Sequence, residues 1–304
     1  MRLAVLDVGS NTIHLQVVDA HRGARPTPTS NHKVEIRLTE YLVDGAISSE
    51  GISMLFNAIE GVVTHAATVN TEEILAFATS ALREASNGDE IINAINNRFE
   101  IDLQILSGED EARLTFLAVR RWLGWSAGKL LVLDIGGGSL EIALGEDEDP
   151  EVAFSLPLGA GRLTRDFLSG DPFSPKSLKV LENYIADTLK NSLPENLTAH
   201  RAGHYVATSK TFRTLARLAN QWYDDSPKYL EQTSMLGIVP RLSDMTISQR
   251  AGLSGVSSTR AKQIVAGAMV ARSAMGALNI PELEISPWAL REGVILRWLD
   301  WMEN

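Results

Sequence analysis

LLVLDIGGGSLEIALG, residues 130–145, is the stretch whose reading decides the fold. Leu130 to Leu133 is a short continuous apolar run, suited to a strand buried on both faces. The run stops at Asp134, a glycine turn follows, and a second strand starts near Leu140. Gly136, Gly137 and Gly138 leave the turn without a Cβ, so the backbone can bend sharply and press its N–H groups against a ligand. Successive N–H groups in such a turn form an anion-binding concavity. A carboxylate just ahead of a phosphate makes sense if it holds a divalent cation that bridges to it. Glu141, projecting from the second strand, supplies another carboxylate beside it. The same glycines also suit a plain tight hairpin, and this stretch alone leaves the two readings level.

A second copy breaks the tie. Residues 3–15 read LAVLDVGSNTIHL, and an offset of 127 residues lays Asp7 on Asp134. Leu3, Val5, Leu6, Asp7 and Gly9 then coincide with Leu130, Val132, Leu133, Asp134 and Gly136, while Val8 meets Ile135 and Thr12 meets Ser139. Ala78-Thr79-Ser80 and Ala207-Thr208-Ser209 form a further pair at an offset of 129, each after an apolar run. Two matched pairs at nearly one offset predict duplication of a whole domain. The expected architecture is two homologous α/β halves, each presenting a phosphate-type hairpin towards the other.

Length and composition agree. With 304 residues, 44% hydrophobic and 22% charged, the chain is long enough for two ordinary domains of a soluble globular protein. No run approaches the roughly 18 apolar residues of a membrane helix, and Asp7 interrupts the N-terminal apolar stretch, against a secretory signal. The absence of cysteine excludes disulfides, zinc thiolates and thiol nucleophiles. A cytoplasmic location is the default expectation. The net charge of −10 opposes a nucleic-acid-coating surface. A polyanionic ligand therefore needs local cations, for which Arg83, Arg162, Arg165, Lys210 and Arg213 are candidates.

Along the chain, strands are expected over Leu3–Val8 and Ile13–Asp19, a surface turn from His21 to Asn31, and a third strand within Lys33–Leu42. An amphipathic helix over Gly51–Val69 precedes a buried strand, Ile74–Ala78. Ser107-Gly108-Glu109-Asp110-Glu111 opens a long helix, with Ser107 as N-cap and the carboxylates complementing the helix dipole. Ser126 to Gly128 reads as the passage into the second half, giving domains 1–123 and 124–304, with the option that the last helix packs back on the first. Leu163–Leu168 begins a helix after the turn PLGAGRLT. In the closing segment Trp288, Ile295, Leu299 and Met302 share one face. The six histidines show no metal-ligand spacing.

Six motifs carry a family resemblance: DVGSNT (7–12), ATSALREA (78–85), SGEDEAR (107–113), DIGGGSLE (134–141), PLGAGRLT (157–164) and LREG (290–293). The chain resembles the exopolyphosphatase and guanosine pentaphosphate phosphatase family of the acetate kinase/sugar kinase/Hsp70/actin superfamily. The resemblance implies two actin-like, ribonuclease H-like domains with an active-site cleft between them, and a homodimer. It singles out Glu111 as the base that activates water; spacing does not separate Glu111 from Glu109 and Asp110, which read as capping or solvent-facing. It places an arginine at Arg83, where a phosphate clamp and a plain salt bridge both remain open.

The expected phosphate contacts are Gly9, Ser10, Asn11 and Thr12 on the first loop and Gly136, Gly137, Gly138 and Ser139 on the second. Arg83 and the turn Ser209-Lys210-Thr211 join them. Asp134 and Glu141, with Asp7 as a third partner through water, are the expected ligands of Mg²⁺ or Mn²⁺. Lys210 departs from the glycine of many relatives; it can reach a distant phosphate and crowds a nucleoside base. The implied activity is Mg²⁺-dependent removal of the terminal phosphate of inorganic polyphosphate, short chains preferred. Guanosine pentaphosphate hydrolysis is the rival, and a non-catalytic polyphosphate or nucleotide sensor the more distant one.

Overall fold

The computed structural model describes residues 1–21, 24–200 and 202–302. The chain falls into two units, one formed by Met1–Leu114 with the segment from Leu290 on, the other by Thr115–Ala289.

The first unit holds strands β1 (Arg2–Val8), β2 (Thr12–Asp19), β3 (Thr27–Glu35), β4 (Leu42–Val43), β5 (Ala46–Ile47), β6 (Glu73–Ala78) and β7 (Leu103–Ile105). Its main sheet has the order β3-β2-β1-β6-β7, and β4 pairs with β5 apart from it. β1 is antiparallel to β2, β2 to β3, whereas β1, β6 and β7 run parallel. Ala4, Leu6 and Val8 face one apolar cluster with Leu55, Ile59 and Val62 of helix α1 (Ser49–Thr68). Leu3 and Val5 face another on the opposite side. Burial on both faces is why β1 reads as a continuous apolar run rather than an alternating one. Helices α2 (Ser80–Glu84), α3 (Gly88–Phe99) and α4 (Gly108–Leu123) follow.

In the second unit β8 (Leu130–Ile135), β9 (Leu140–Gly145), β10 (Val152–Leu156), β11 (His204–Ala207), β12 (Tyr229–Glu231) and β13 (Glu282–Ile285) form one sheet, ordered β10-β9-β8-β11-β13-β12. Three antiparallel strands are again continued by parallel ones, β8-β11-β13. Both units thus have the actin-like, ribonuclease H-like strand arrangement, with β12 added antiparallel at the second sheet's edge. The helices are α5 (Ala160–Phe167), α6 (Pro175–Ser192), α7 (Glu195–Thr198), α8 (Ser209–Tyr223), α9 (Gln232–Ser243), α10 (Ile247–Ala251) and α11 (Ser258–Ala277). Among the described residues no helix is long and apolar enough to cross a membrane.

Helix α12 (Leu290–Trp301) belongs to the first unit, where Ile295 and Leu299 join Leu3, Val5 and Val18. The division between units lies within α4, after Leu114, whereas the sequence reading put it after residue 123. The later turns of α4 serve the second unit: a Cβ on Gly145 would lie 3.2 Å from the Phe116 ring, and Arg120 donates to the Gly128 carbonyl at 2.5 Å.

Three local expectations are corrected. The third strand runs Thr27–Glu35, through much of the expected turn and into only the first three residues of the expected Lys33–Leu42 strand; residues 22 and 23 of that turn lie outside the described residues. It is an exposed edge strand, so Pro28 and its polar neighbours are tolerated there. Helix α5 starts at Ala160, three residues earlier than expected and inside the glycine motif. Met302 is 58% exposed, and Trp288 lies ahead of α12, its ring 5.5 Å from that of Trp122.

Candidate active site

The turn between β8 and β9 is held from one side by the start of α5. The Ala160 N–H donates to the Gly136 carbonyl (3.0 Å), the N–H groups of Gly161 and Arg162 to that of Gly137 (both 2.9 Å), and Arg162 Nε to that of Gly138 (2.9 Å). A trans peptide sets its N–H opposite its C=O. Fixing three successive carbonyls towards α5 therefore aims the N–H groups of Gly137, Gly138 and Ser139 the other way, as an anion concavity requires. Contact this close needs glycine at 159, where a Cβ would lie 2.2 Å from the Gly138 carbonyl carbon.

Asp134 and Glu141 sit directly opposite each other across this hairpin. Like charges so placed repel, and a cation between them removes the repulsion. Each carboxylate also accepts a hydroxyl hydrogen bond, Asp134 from Thr208 and Glu141 from Ser155 at 2.9 Å, which orients it as outer-shell donors orient metal ligands. Among the described residues no cluster of three or more His, Asp or Glu side chains is placed to hold a metal. Two carboxylates with the rest of the shell water suit Mg²⁺, so the donor set fits that ion.

The first hairpin is built by the same device. Leu38 N–H donates to the Ser10 carbonyl (2.8 Å), and Ile36 and Arg37 N–H groups to that of Asn11 (3.0 and 3.1 Å). The N–H groups of Asn11 and Thr12 are thereby turned away from this 3₁₀ turn, Leu38–Tyr41. The two Ala-Thr-Ser turns grip their hairpins through hydroxyls. Ser80 Oγ lies 2.8 Å from Ser10 Oγ in the first unit, and Thr208 bonds Asp134 in the second.

The acidic start of α4 is sorted by burial. Glu109 is exposed and pairs with Arg113 at 2.7 Å; Asp110 is exposed and accepts from Ser107 Oγ at 2.6 Å. Glu111 is 7% exposed and ion-pairs with Arg83, whose Nη1 also donates to the Leu106 carbonyl at 2.8 Å.

The remaining candidates lie around α8. Ser209 has φ +63°, in the left-handed region that favours glycine, and its carbonyl accepts from Arg213 Nε at 3.1 Å. Lys210 is exposed, and the buried Thr211 hydroxyl donates to the Ile135 carbonyl at 3.1 Å, tying α8 to the end of β8. Arg165 pairs with Asp166 beside it on α5 at 2.7 Å. Sequence reasoning missed Thr208 and Ser155 as partners of the carboxylates. It also missed His14 and Arg291, which bond each other beside Asp7. The offset of 127 that matches Asp7 to Asp134 also sets His14 against Glu141, a signal that was present.

Two ribonuclease H-like units, each with a hairpin whose amides are turned one way beside a strand-end aspartate, define an actin-like protein. The Ppx/GppA phosphatase family model matches residues 17–302, and the chain belongs to that family. It is 49% identical to "Exopolyphosphatase 1" of Mycobacterium tuberculosis, over 99% of this chain and 89% of that one. An exopolyphosphatase structure from Cytophaga hutchinsonii superposes with a TM-score of 0.88 at 25% identity, over 99% and 98% of the two chains. The Aquifex aeolicus Ppx/GppA family member shares the fold, with a TM-score of 0.82 at 23% identity over 100% and 99%. The chain is accordingly a hydrolase.

Proposed function

We propose that the protein is an exopolyphosphatase, a cytoplasmic homodimer that removes the terminal phosphate of inorganic polyphosphate with the help of Mg²⁺ or Mn²⁺. The observation that carries this reading is the β8–β9 hairpin, which has three amides turned one way and a directly opposed carboxylate pair on one turn. The likeness to proteins named exopolyphosphatase supports the substrate.

In this reading the amides of Gly137, Gly138 and Ser139 take phosphate oxygens, and Asp134 and Glu141 hold the cation. The cation supplies neutralisation of charge on the phosphate oxygens. Glu111 takes the proton of the attacking water as its oxygen bonds to the terminal phosphorus. The bond from that phosphorus to the bridging oxygen breaks, leaving orthophosphate and a chain one unit shorter. Arg83 holds the Glu111 carboxylate towards that task. The exposed Lys210 offers a cation to a phosphate further along the chain.

Phosphate release with Mg²⁺ from short polyphosphate, long polyphosphate, guanosine pentaphosphate and ATP, with Glu111→Gln beside the parent, tests this. The expected result is release from polyphosphate, slowed by about 10²- to 10⁴-fold in the variant. Release from the pentaphosphate alone would move the protein to that activity. Binding of polyphosphate without release would make it a sensor. Light scattering of the purified protein checks the dimer.

A further inference from the structure

The two hairpins match in position and differ in charge. Where the second sets Asp134 opposite Glu141, the first sets Asp7 opposite His14. A divalent cation suits two opposed carboxylates, and a carboxylate facing an imidazole offers it less. The charge at the first hairpin comes instead from Arg291, in the first turn of α12. Its Nη1 bonds the His14 ring, and its Nε lies 4.0 Å from Asp7 Oδ2. His14 Nε2 lies 3.1 Å from Asn31 Oδ1. The neutral tautomer that donates to Asn31 keeps Nδ1 as acceptor for the guanidinium, so one ring state satisfies both contacts.

Arg291 is held in place from several sides. Its side chain is 18% exposed, and Ile295 and Leu299 lock α12 onto β1. Gly293 lies so near α4 that a Cβ there would fall 1.9 Å from the Leu114 carbonyl oxygen. Glu292, next in the chain, accepts from Gln16 Nε2 at 3.4 Å. Asp7 Oδ1 in turn lies 3.6 Å from the Cβ position of Gly9, so the carboxylate that Arg291 faces overlies the first loop.

We infer that Arg291 is a positioning residue. It supplies at the first hairpin the positive charge that a cation supplies at the second, and it fixes Asp7 as an oriented acceptor for water rather than a direct metal ligand. The inference rests on the hydrolase reading above.

The test uses the full chain and the variants Asp7→Asn, Arg291→Gln, Arg291→Lys, Asp7→Asn/Arg291→Gln and Asp134→Asn. Polyphosphate hydrolysis gives kcat and KM, electron paramagnetic resonance of Mn²⁺ gives metal affinity, and thermal melts report folding. Arg291→Gln should lower kcat by about 10- to 100-fold with KM little changed, and Arg291→Lys should recover most of that. The double variant should be no slower than Asp7→Asn alone, because Arg291 acts through Asp7. Mn²⁺ affinity should hold within about 3-fold in Asp7→Asn and Arg291→Gln and fall more than about 10-fold in Asp134→Asn.

Independent, additive losses would overturn the inference, as would a rise in KM alone. So would Asp7→Asn weakening Mn²⁺ as far as Asp134→Asn does. If Arg291→Gln does not fold, Arg291→Lys and Asp7→Asn decide between the same outcomes. A parent protein that binds Mn²⁺ through Asp134 but releases no phosphate would sink the functional reading instead, and the Mn²⁺ comparison would still decide the place of Asp7.

Discussion

Arg83 and Glu111 form an ion pair in which both side chains are largely buried, at 22% and 10% side-chain exposure. The guanidinium is anchored by its bond to the Leu106 carbonyl, so the carboxylate is held against a fixed partner. Removing one member of a buried pair leaves the other charged and uncompensated. Arg83→Met should therefore lower the melting temperature and, on the proposed function, reduce kcat for phosphate release by at least about 10-fold, because the proposed base loses its orientation. Glu111→Gln should lose more activity and less stability, since the amide still accepts from Arg83. Melts and steady-state kinetics on both variants check this; equal kcat losses with KM raised only in Arg83→Met would make Arg83 a phosphate clamp instead.

Two glycines make opposite predictions. A Cβ on Gly159 would meet backbone atoms of Gly138 and Ser139 at 2.2 to 2.4 Å, and no side chain can swing aside to relieve it. Gly159→Ala should push the second hairpin away from α5, costing about 1–3 kcal/mol and disordering the amides that the proposed function assigns to phosphate. Gly61 lies in the middle of α1, is exposed, and has nothing within 4 Å of its Cβ position. Gly61→Ala should stabilise by about 0.5–1 kcal/mol with activity intact. Denaturant melts of the two variants, with KM for polyphosphate, report both.

The hairpins were legible because a doubly buried strand running into glycine is a local pattern, and its recurrence at one offset needs no knowledge of packing. Glu111 is different: three consecutive acidic residues satisfy the same helix dipole, so spacing leaves them equal; the family resemblance picks out the third, and burial on α4 sets it apart from the other two in the structure. β3 is disguised in the sequence because an edge strand with one exposed flank tolerates the proline and hydroxyl residues that otherwise mark turns. β12 and β13 leave no mark in the sequence because three- and four-residue strands carry too little periodicity to register. The Arg291–His14 contact joins residues 277 positions apart and depends on α12 returning to β1. No local signal encodes such a pairing; only the duplication hints that position 14 matters.

A surface pair on β1 and β2 gives a pH signature. Arg2 Nε donates to Asp19 Oδ1 at 2.9 Å, and that bond chiefly holds the Asp19 carboxyl below its ordinary value. A native pKa below the unfolded one gives stabilisation that is present above about pH 4 and lost as pH falls through the native value. Asp19→Asn should therefore be less stable than the parent at pH 7, with the gap closing on acidification. The gap should be small, since both side chains are about two-fifths exposed. Urea melts at pH 7 and pH 3 measure it, and a gap that widens in acid would contradict the assignment.

Arg250 is the opposite case, a cation fully buried at 0% exposure. Its Nε, Nη1 and Nη2 find no hydrogen-bond partner among the described residues. Its guanidinium stacks over the Phe173 ring at 4.5 Å, with the nearest Asp171 oxygen at 3.8 Å, beyond a hydrogen bond. Burial drives its pKa down, and Asp171 only partly opposes this. A charge taken out of water with so little returned is costly, whereas the aliphatic stem packs well. Arg250→Met keeps the stem, sets sulfur against the Phe173 ring and removes the charge. It should leave stability unchanged or raise it by about 1–3 kcal/mol, read as an unchanged or higher urea midpoint at constant slope. A loss of several kcal/mol would instead mean that the guanidinium is bonded, through water, to groups that the variant strands.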